Sequence, residues 1–319
     1  MTRKRLAAFA WAVLGMMLLV VLWGAYVRAS GSGAGCGRHW PLCNGTVVPH
    51  THRVQTLIEF THRASSGLAL LGVVAVLIWA WRVYPRGHQV RQGALAAMGF
   101  MVLEALLGAG LVLFGLVAEN QSAFRAFSMV AHLINTFLLI GCVTLTAWWA
   151  SGGERVRVRR QGAVGVLIVV GLVAMLVLGA SGAIAALGDT LFPASSLAEG
   201  LRADLSPTSN FLLRLRIYHP IIAVTTGLYL LIVARVVARA RPATATRRLS
   251  WVLTAIVVLQ VLAGVTNVAL LAPIWLQMIH LLLADLLWIS LVLLGACALA
   301  VREPARAPAR RAPAPLAVP

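Results

Sequence analysis

Four histidines stand within apolar stretches of this sequence: His62, His132, His219 and His280. Imidazole is a metal ligand and a proton carrier near neutral pH. An ionisable side chain in an apolar stretch carries a cost that packing alone does not require. One such histidine is equally well explained by a hydrogen bond to a neighbouring helix. Four at matched depth, one on every second apolar segment, are not. The other four, His39, His50, His52 and His88, fall between apolar segments, where a solvated side chain is the simpler reading.

Their spacing repeats. His62 and His219 are 157 residues apart, His132 and His280 are 148 apart, and Glu104 and Gln260 are 156 apart, each of the last two followed four residues on by a glycine, Gly108 or Gly264. Ala131-His132-Leu133 also answers to Ile279-His280-Leu281. The register drifts by several residues. The pattern predicts a duplicated chain, each copy contributing a histidine from its second and its fourth segment.

The elements that position these residues follow from composition. Of 319 residues, 60% are hydrophobic and 11% charged, well below the roughly 25% charge of soluble domains, and the mean hydropathy is +0.88. A helical crossing of a bilayer takes about 20 apolar residues. Runs of that kind fall near 6–27, 64–81, 94–117, 127–149, 163–187, 215–234, 249–271 and 274–300. They predict an all-α integral membrane protein with eight transmembrane helices in two pseudo-symmetric four-helix bundles, residues 1–150 and 151–301. The first run is too long for a signal-peptide core and is read as a retained helix. Tyr84-Pro85-Arg86-Gly87, Ser151-Gly152-Gly153-Glu154, Arg241-Pro242 and Ala272-Pro273 mark linkers. With the N-terminus inside, 19 of the 27 basic residues fall on the cytoplasmic side, which places both termini in the cytoplasm. The net charge of +18 is thereby a topology signal and not a nucleic-acid surface. Residues 302–319, rich in Pro, Ala and Arg, are predicted to form a disordered cytoplasmic tail.

Two imidazoles on facing helices are a poor zinc site, which wants about four protein ligands. They suit haem iron, whose macrocycle fills four positions and leaves two axial ones. One haem-sized site per half follows. Arg63, Arg125, Arg214 and Arg216 stand near the external boundary and are candidate propionate partners, or ordinary snorkelling side chains. Glu59 precedes His62 by one helical turn, whereas Arg216 precedes His219 and Gln277 precedes His280. A carboxylate beside one site only fits proton-coupled chemistry there and electron carriage in the other; it also fits a complement to a helix N-terminus. Glu104 and Asp285 are read as either buried proton carriers or hydrogen-bonding groups satisfied by a neighbouring helix. Cys36 and Cys43 lie in the first external loop, where an oxidising compartment admits a disulfide, either a staple or a redox-responsive pair. Cys142 and Cys297 read as small apolar packing residues.

The chain resembles the haem A synthase family of aerobic bacteria and mitochondria. The resemblance rests on Glu59-Phe60-Thr61-His62-Arg63, on Gly31-Ser32-Gly33 followed by Cys36 and Trp40-Pro41-Leu42-Cys43-Asn44-Gly45, and on His280-Leu281 followed by Trp288, over roughly residues 6–300. It implies a multi-pass enzyme of the bacterial inner membrane that oxidises the C8 methyl of haem O to the formyl of haem A, through successive hydroxylation and loss of water from a gem-diol, for terminal cytochrome oxidase. By the same resemblance His62 and His132 would ligate the substrate haem O, and His219 and His280 a permanent haem b. Glu59 would be the catalytic carboxylate, and Cys36–Cys43 the external disulfide. Implied partners are the haem O synthase that supplies the substrate, membrane lipid, an electron donor and a second copy of the chain. Two features depart from the family pattern: Pro220 follows His219 where Arg63 follows His62, and the external loop 188–214 has no cysteine. The competing readings are a dihaem b-type electron-transfer cytochrome, in which haems usually sit towards opposite faces, and a haem transporter.

Overall fold

A computed structural model describes residues 2–301. It contains eight helices long and apolar enough to cross a membrane, which makes the chain a multi-pass membrane protein. Five spans are single uninterrupted helices that follow one another closely: α1 Arg3–Ala29, α2 Val54–Val83, α3 Gln89–Leu113, α4 Ala123–Ala150 and α5 Gly162–Leu191. A short helix, α6 Leu197–Leu205, precedes the sixth span, which is α7 Phe211–Arg216 running into α8 Tyr218–Ala240. Helices α9 Thr244–Ala269 and α10 Ile274–Ala298 complete the set. All four linker signals fall between helices as expected. The predicted tail, 302–319, lies outside the described residues.

Most helix boundaries fall a few residues from the hydropathy runs, and two of the shifts have a clear local reason. Helix α2 begins ten residues before the apolar run at 64, because its first turns carry Thr56, Glu59, His62 and Arg63, polar residues that interrupt the run without interrupting the helix. Helix α3 ends at Leu113, before residue 117, where the chain turns through Gly115 and Ala118 at positive φ. The α7–α8 break at Ile217 sits next to Pro220. Proline lacks the N–H that would bond back to the carbonyl of Arg216, so it is tolerated only in the first turn of the helix that follows.

Helix α1 packs on α2 and α4, α2 on α3, and α3 on α4, while α5 packs on α8 and α10, α8 on α9, and α9 on α10. Contacts of α1, α4, α5 and α10 join these two groups. The buried seam is largely aliphatic, and at its centre Phe137 of α4 stacks on Trp288 of α10 with ring centroids 5.4 Å apart.

One end of the bundle collects the start of α1 and the close of α10. There Trp11 Nε1 donates to Ser151 Oγ, and β1 Arg155–Val156 pairs antiparallel with β2 Ala300–Val301. The start of α1 and the close of α10, the two ends of the described segment, therefore share a side. His88, expected to be solvated, instead caps α3 at this end: its Nδ1 accepts from Val90 N–H and its ring packs at a tilt against Tyr84, centroids 4.3 Å apart. Burial, with Arg3 nearby, holds its pKa below the usual histidine value, which keeps Nδ1 free to accept. His39, His50 and His52 lie in the loop between α1 and α2, as expected.

At the opposite end Arg28 bridges the two helix groups. Its guanidinium donates to Ala186 O at 2.7 Å, to Thr190 Oγ1, and to Gln277 Oε1 at 3.0 Å, linking α1 to α5 and α10. Hydrogen bonds to a charged donor contribute about 1.5–3 kcal/mol each. Arg28→Ala is expected to lower the thermal unfolding temperature in detergent markedly, and Arg28→Lys to recover little, since an ammonium lacks the planar fork. An unchanged unfolding temperature for Arg28→Ala would show that the bridge carries no weight.

Candidate functional site

All four intramembrane histidines lie toward the end opposite the termini, and each ring rests on a glycine of the preceding span. A Cβ on Gly24 of α1 would stand 2.8 Å from His62 Cε1, and one on Gly108 of α3 would stand 3.6 Å from His132 Nε2. One on Gly182 of α5 would stand 3.2 Å from His219 Cε1, and one on Gly264 of α9 would stand 3.1 Å from His280 Cε1. Gly24 and Gly182 are 158 residues apart, against 157 for His62 and His219, and Gly108 and Gly264 are 156 apart, against 148 for His132 and His280. Sequence reasoning picked out Gly108 and Gly264 but not Gly24 or Gly182, whose repeat offset was the available signal.

The rings of His219 and His280 have centroids 6.4 Å apart and planes at 87°. Two metal–imidazole bonds of about 2.0–2.1 Å plus the two ring radii span such a distance. His62 lies within electrostatic reach of His132 and Glu104. Among the described residues no three His, Cys, Asp or Glu side chains gather as a bare-metal site would need. Paired imidazoles, apolar walls and side-chain-free glycines beside each ring therefore fit a haem better than a zinc ion. Gly24→Ala is expected to displace the His62 ring and remove its coordination while leaving the fold intact, and Gly108→Ala to do far less. Absorption spectra of the purified variants decide it; equal spectra for both would discount the glycine contacts.

Glu59 is buried and both of its oxygens are bonded. Oε2 accepts from Cys36 N–H at 2.8 Å, and Oε1 pairs with Arg63. Arg63 in turn donates to His39 O at 2.5 Å and Leu42 O at 2.6 Å. Cys36 and Cys43 form a disulfide, with both residues buried. Thr56 Oγ1 donates to Gly35 O at 2.7 Å, and a Cβ on Gly35 would stand 2.4 Å from Gln55 O, so only glycine lets the loop backbone lie this close to α2. The carboxylate one helical turn before His62 in the sequence is thus the anchor of the disulfide loop.

The four arginines named as propionate partners differ in what they already hold. Arg63 is engaged as described. Arg125 is buried and donates to Ala118 O and Asn120 O, leaving its Nε buried without a partner. Arg216 reaches Asp189 at 2.7 Å and Asp204 at 2.6 Å, which ties α6 and the end of α5 to α7. These ion pairs staple the loop that has no cysteines. Of the four, only Arg214 is fully exposed. Arg28 was not singled out as a site residue, although an arginine closing an apolar run was visible as a signal.

Of the remaining polar groups in the spans, Glu104 meets His132, Asn135 and Thr136. Asp285 is fully buried with neither oxygen partnered. Cys142 and Cys297 are free and half-buried.

Several known proteins are similar to this chain. A Thermus thermophilus protein named protoheme IX farnesyltransferase is 55% identical over 296 residues, which cover 93% of this chain and 49% of that protein. Heme A synthases of Geobacillus kaustophilus and Symbiobacterium thermophilum are 39% identical over 140 residues and 40% identical over 157 residues. These cover 43% and 49% of this chain, and 44% and 48% of theirs. The chain thus spans about half the length of the curated relatives it matches. A profile described as cytochrome oxidase assembly protein matches residues 7–292, nearly the whole described bundle, and by that match the chain belongs to the COX15-CtaA family.

Proposed function

We propose that this chain is a haem A synthase, a membrane oxidoreductase that converts the C8 methyl of haem O to a formyl group. The observation that carries the reading is the fourfold histidine–glycine contact at one depth of the bundle, repeated at a near-constant interval. Similarity to proteins named heme A synthase supports the pathway.

In this reading the chain comprises two pseudo-symmetric four-helix halves, 1–150 and 151–301. His62 and His132 hold the substrate haem O, and His219 and His280 hold haem b. Bound there, the haems supply electron transfer and oxygen chemistry; the protein supplies ligands, orientation and a proton path. Glu59 is the carboxylate of the substrate side, held as an acceptor by Arg63 and the Cys36 amide. Arg125, with its unpartnered Nε, and the exposed Arg214 remain the arginines with donors to spare for propionates. Both termini lie in the cytoplasm of a bacterial inner membrane, in keeping with the excess of basic residues at that end. The relative named protoheme IX farnesyltransferase supports supply of substrate by a prenylating enzyme of haem: it is about twice the length matched here, which leaves room for a second catalytic unit beside the counterpart of this chain.

Expression in cells that make haem O, followed by haem extraction and chromatography, tests the proposal. Haem A formed only with the intact chain supports it. Bound haem b with haem O left unconverted, given oxygen and a competent donor, would favour a dihaem electron-transfer cytochrome.

A further inference from the structure

The four histidine rings differ in what their Nδ1 meets. His132 Nδ1 lies 2.9 Å from Glu104 Oε1, within ion-pair distance. Glu104 is itself held by Asn135 Nδ2 and Thr136 Oγ1, both on α4, the helix that carries His132. His219 Nδ1 faces the neutral Ser181 hydroxyl at 2.9 Å. Nδ1 of His62 and of His280 is buried with no partner. At the position of α9 that answers to Glu104 stands Gln260, an uncharged amide whose nitrogen is 3.4 Å from His280 Nε2. One histidine pair therefore has a carboxylate behind a ring, and the other has only neutral groups.

A carboxylate behind a ligating imidazole fixes the ring tautomer and raises the ligand's basicity, and hydrogen bonding to an axial ligand is a lever on haem potential. We propose that Glu104 is a positioning residue for His132, turning Nε2 to the iron and making the iron of the first helix group more electron-rich and harder to reduce than that of the second. The inference rests on the reading of His132 as an axial ligand. It gives the two sites different chemistry through one residue. With both axial positions held by imidazole, the difference would be one of potential: the site with a carboxylate behind its ligand would favour the oxidised iron, and the site with neutral neighbours the reduced one.

The test is a potentiometric titration of the full-length protein purified with its haems, followed by absorption and electron paramagnetic resonance. His132→Ala identifies the signals of the first site. Glu104→Gln is expected to keep the six-coordinate low-spin signal there and shift the oxidised-to-reduced ratio about tenfold toward reduced, 59 mV for a one-electron couple, leaving the second haem unchanged. Glu104→Asp is expected to restore part of the shift. Ser181→Asp, which places a carboxylate opposite His219 Nδ1, is expected to lower the potential of the second haem, and it decides the question if Glu104→Gln does not accumulate. Unchanged potentials in a variant that keeps its low-spin signal overturn the proposal and leave the ligand assignment standing. Low-spin signals untouched by His132→Ala overturn both.

Discussion

His219→Ala and His280→Ala are each expected to abolish the low-spin b-type spectrum of the second helix group and to stop haem A formation, while haem O still binds. The loss should exceed the roughly 10–100-fold that removal of an outer partner of a metal ligand costs, because the metal–ligand bond itself is gone. His62→Ala and His132→Ala should have the converse signature: the b-type spectrum is kept, and substrate binding and conversion are lost. The two classes are separable because the pairs sit in different helix groups, with Ser181 behind His219 and Glu104 behind His132. Spectra of purified variants, read beside haem chromatography of the cells, check both halves of the prediction. A b-type spectrum surviving His219→Ala and His280→Ala together would remove that pair as a cofactor site.

Glu59→Gln is expected to reduce haem A formation by about 10²–10⁴-fold, the usual contribution of a positioned acid–base group. It should also loosen the loop between α1 and α2. Arg63 would lose its counter-charge in a mostly buried position, where breaking a pair by removing one partner costs about 3–5 kcal/mol, and the Cys36 amide would face an amide in place of a carboxylate. Two measurements separate the effects. Arg63→Ala keeps the carboxylate but frees the backbone oxygens of His39 and Leu42, so it should loosen the loop while retaining more activity than Glu59→Gln. Limited proteolysis of the loop reports the anchoring, and haem chromatography reports the chemistry. Full conversion by Glu59→Gln would exclude the carboxylate from the reaction and leave it the anchor alone.

Much of this architecture was legible in the residues. Eight spans follow from apolar runs whose length the bilayer sets, and linkers such as Tyr84-Pro85-Arg86-Gly87 follow from turn chemistry. The histidines stood out because an ionisable group in an apolar run is costly and therefore informative wherever it occurs. Boundaries failed where function overrode hydropathy: the first turns of α2 are polar because Glu59, His62 and Arg63 are there. His88 departs from its expected solvated state because a cap depends on the local backbone, and its tilted ring contact with Tyr84 depends on how the linker turns.

The sequence by itself thus determined how many membrane-spanning segments there are, which of them carry imidazole, and that the pattern repeats. Those properties are local, set within one segment by hydration and length. Tertiary structure alone decided the partners: Arg28 on Ala186 and Gln277, Glu59 on the Cys36 amide, Arg216 on two aspartates, Glu104 behind His132, and a glycine under each ring. In spans that are apolar nearly all round, periodicity does not settle how a helix is rotated about its axis. Those contacts join residues up to 249 positions apart, and only the packing of helix against helix sets them.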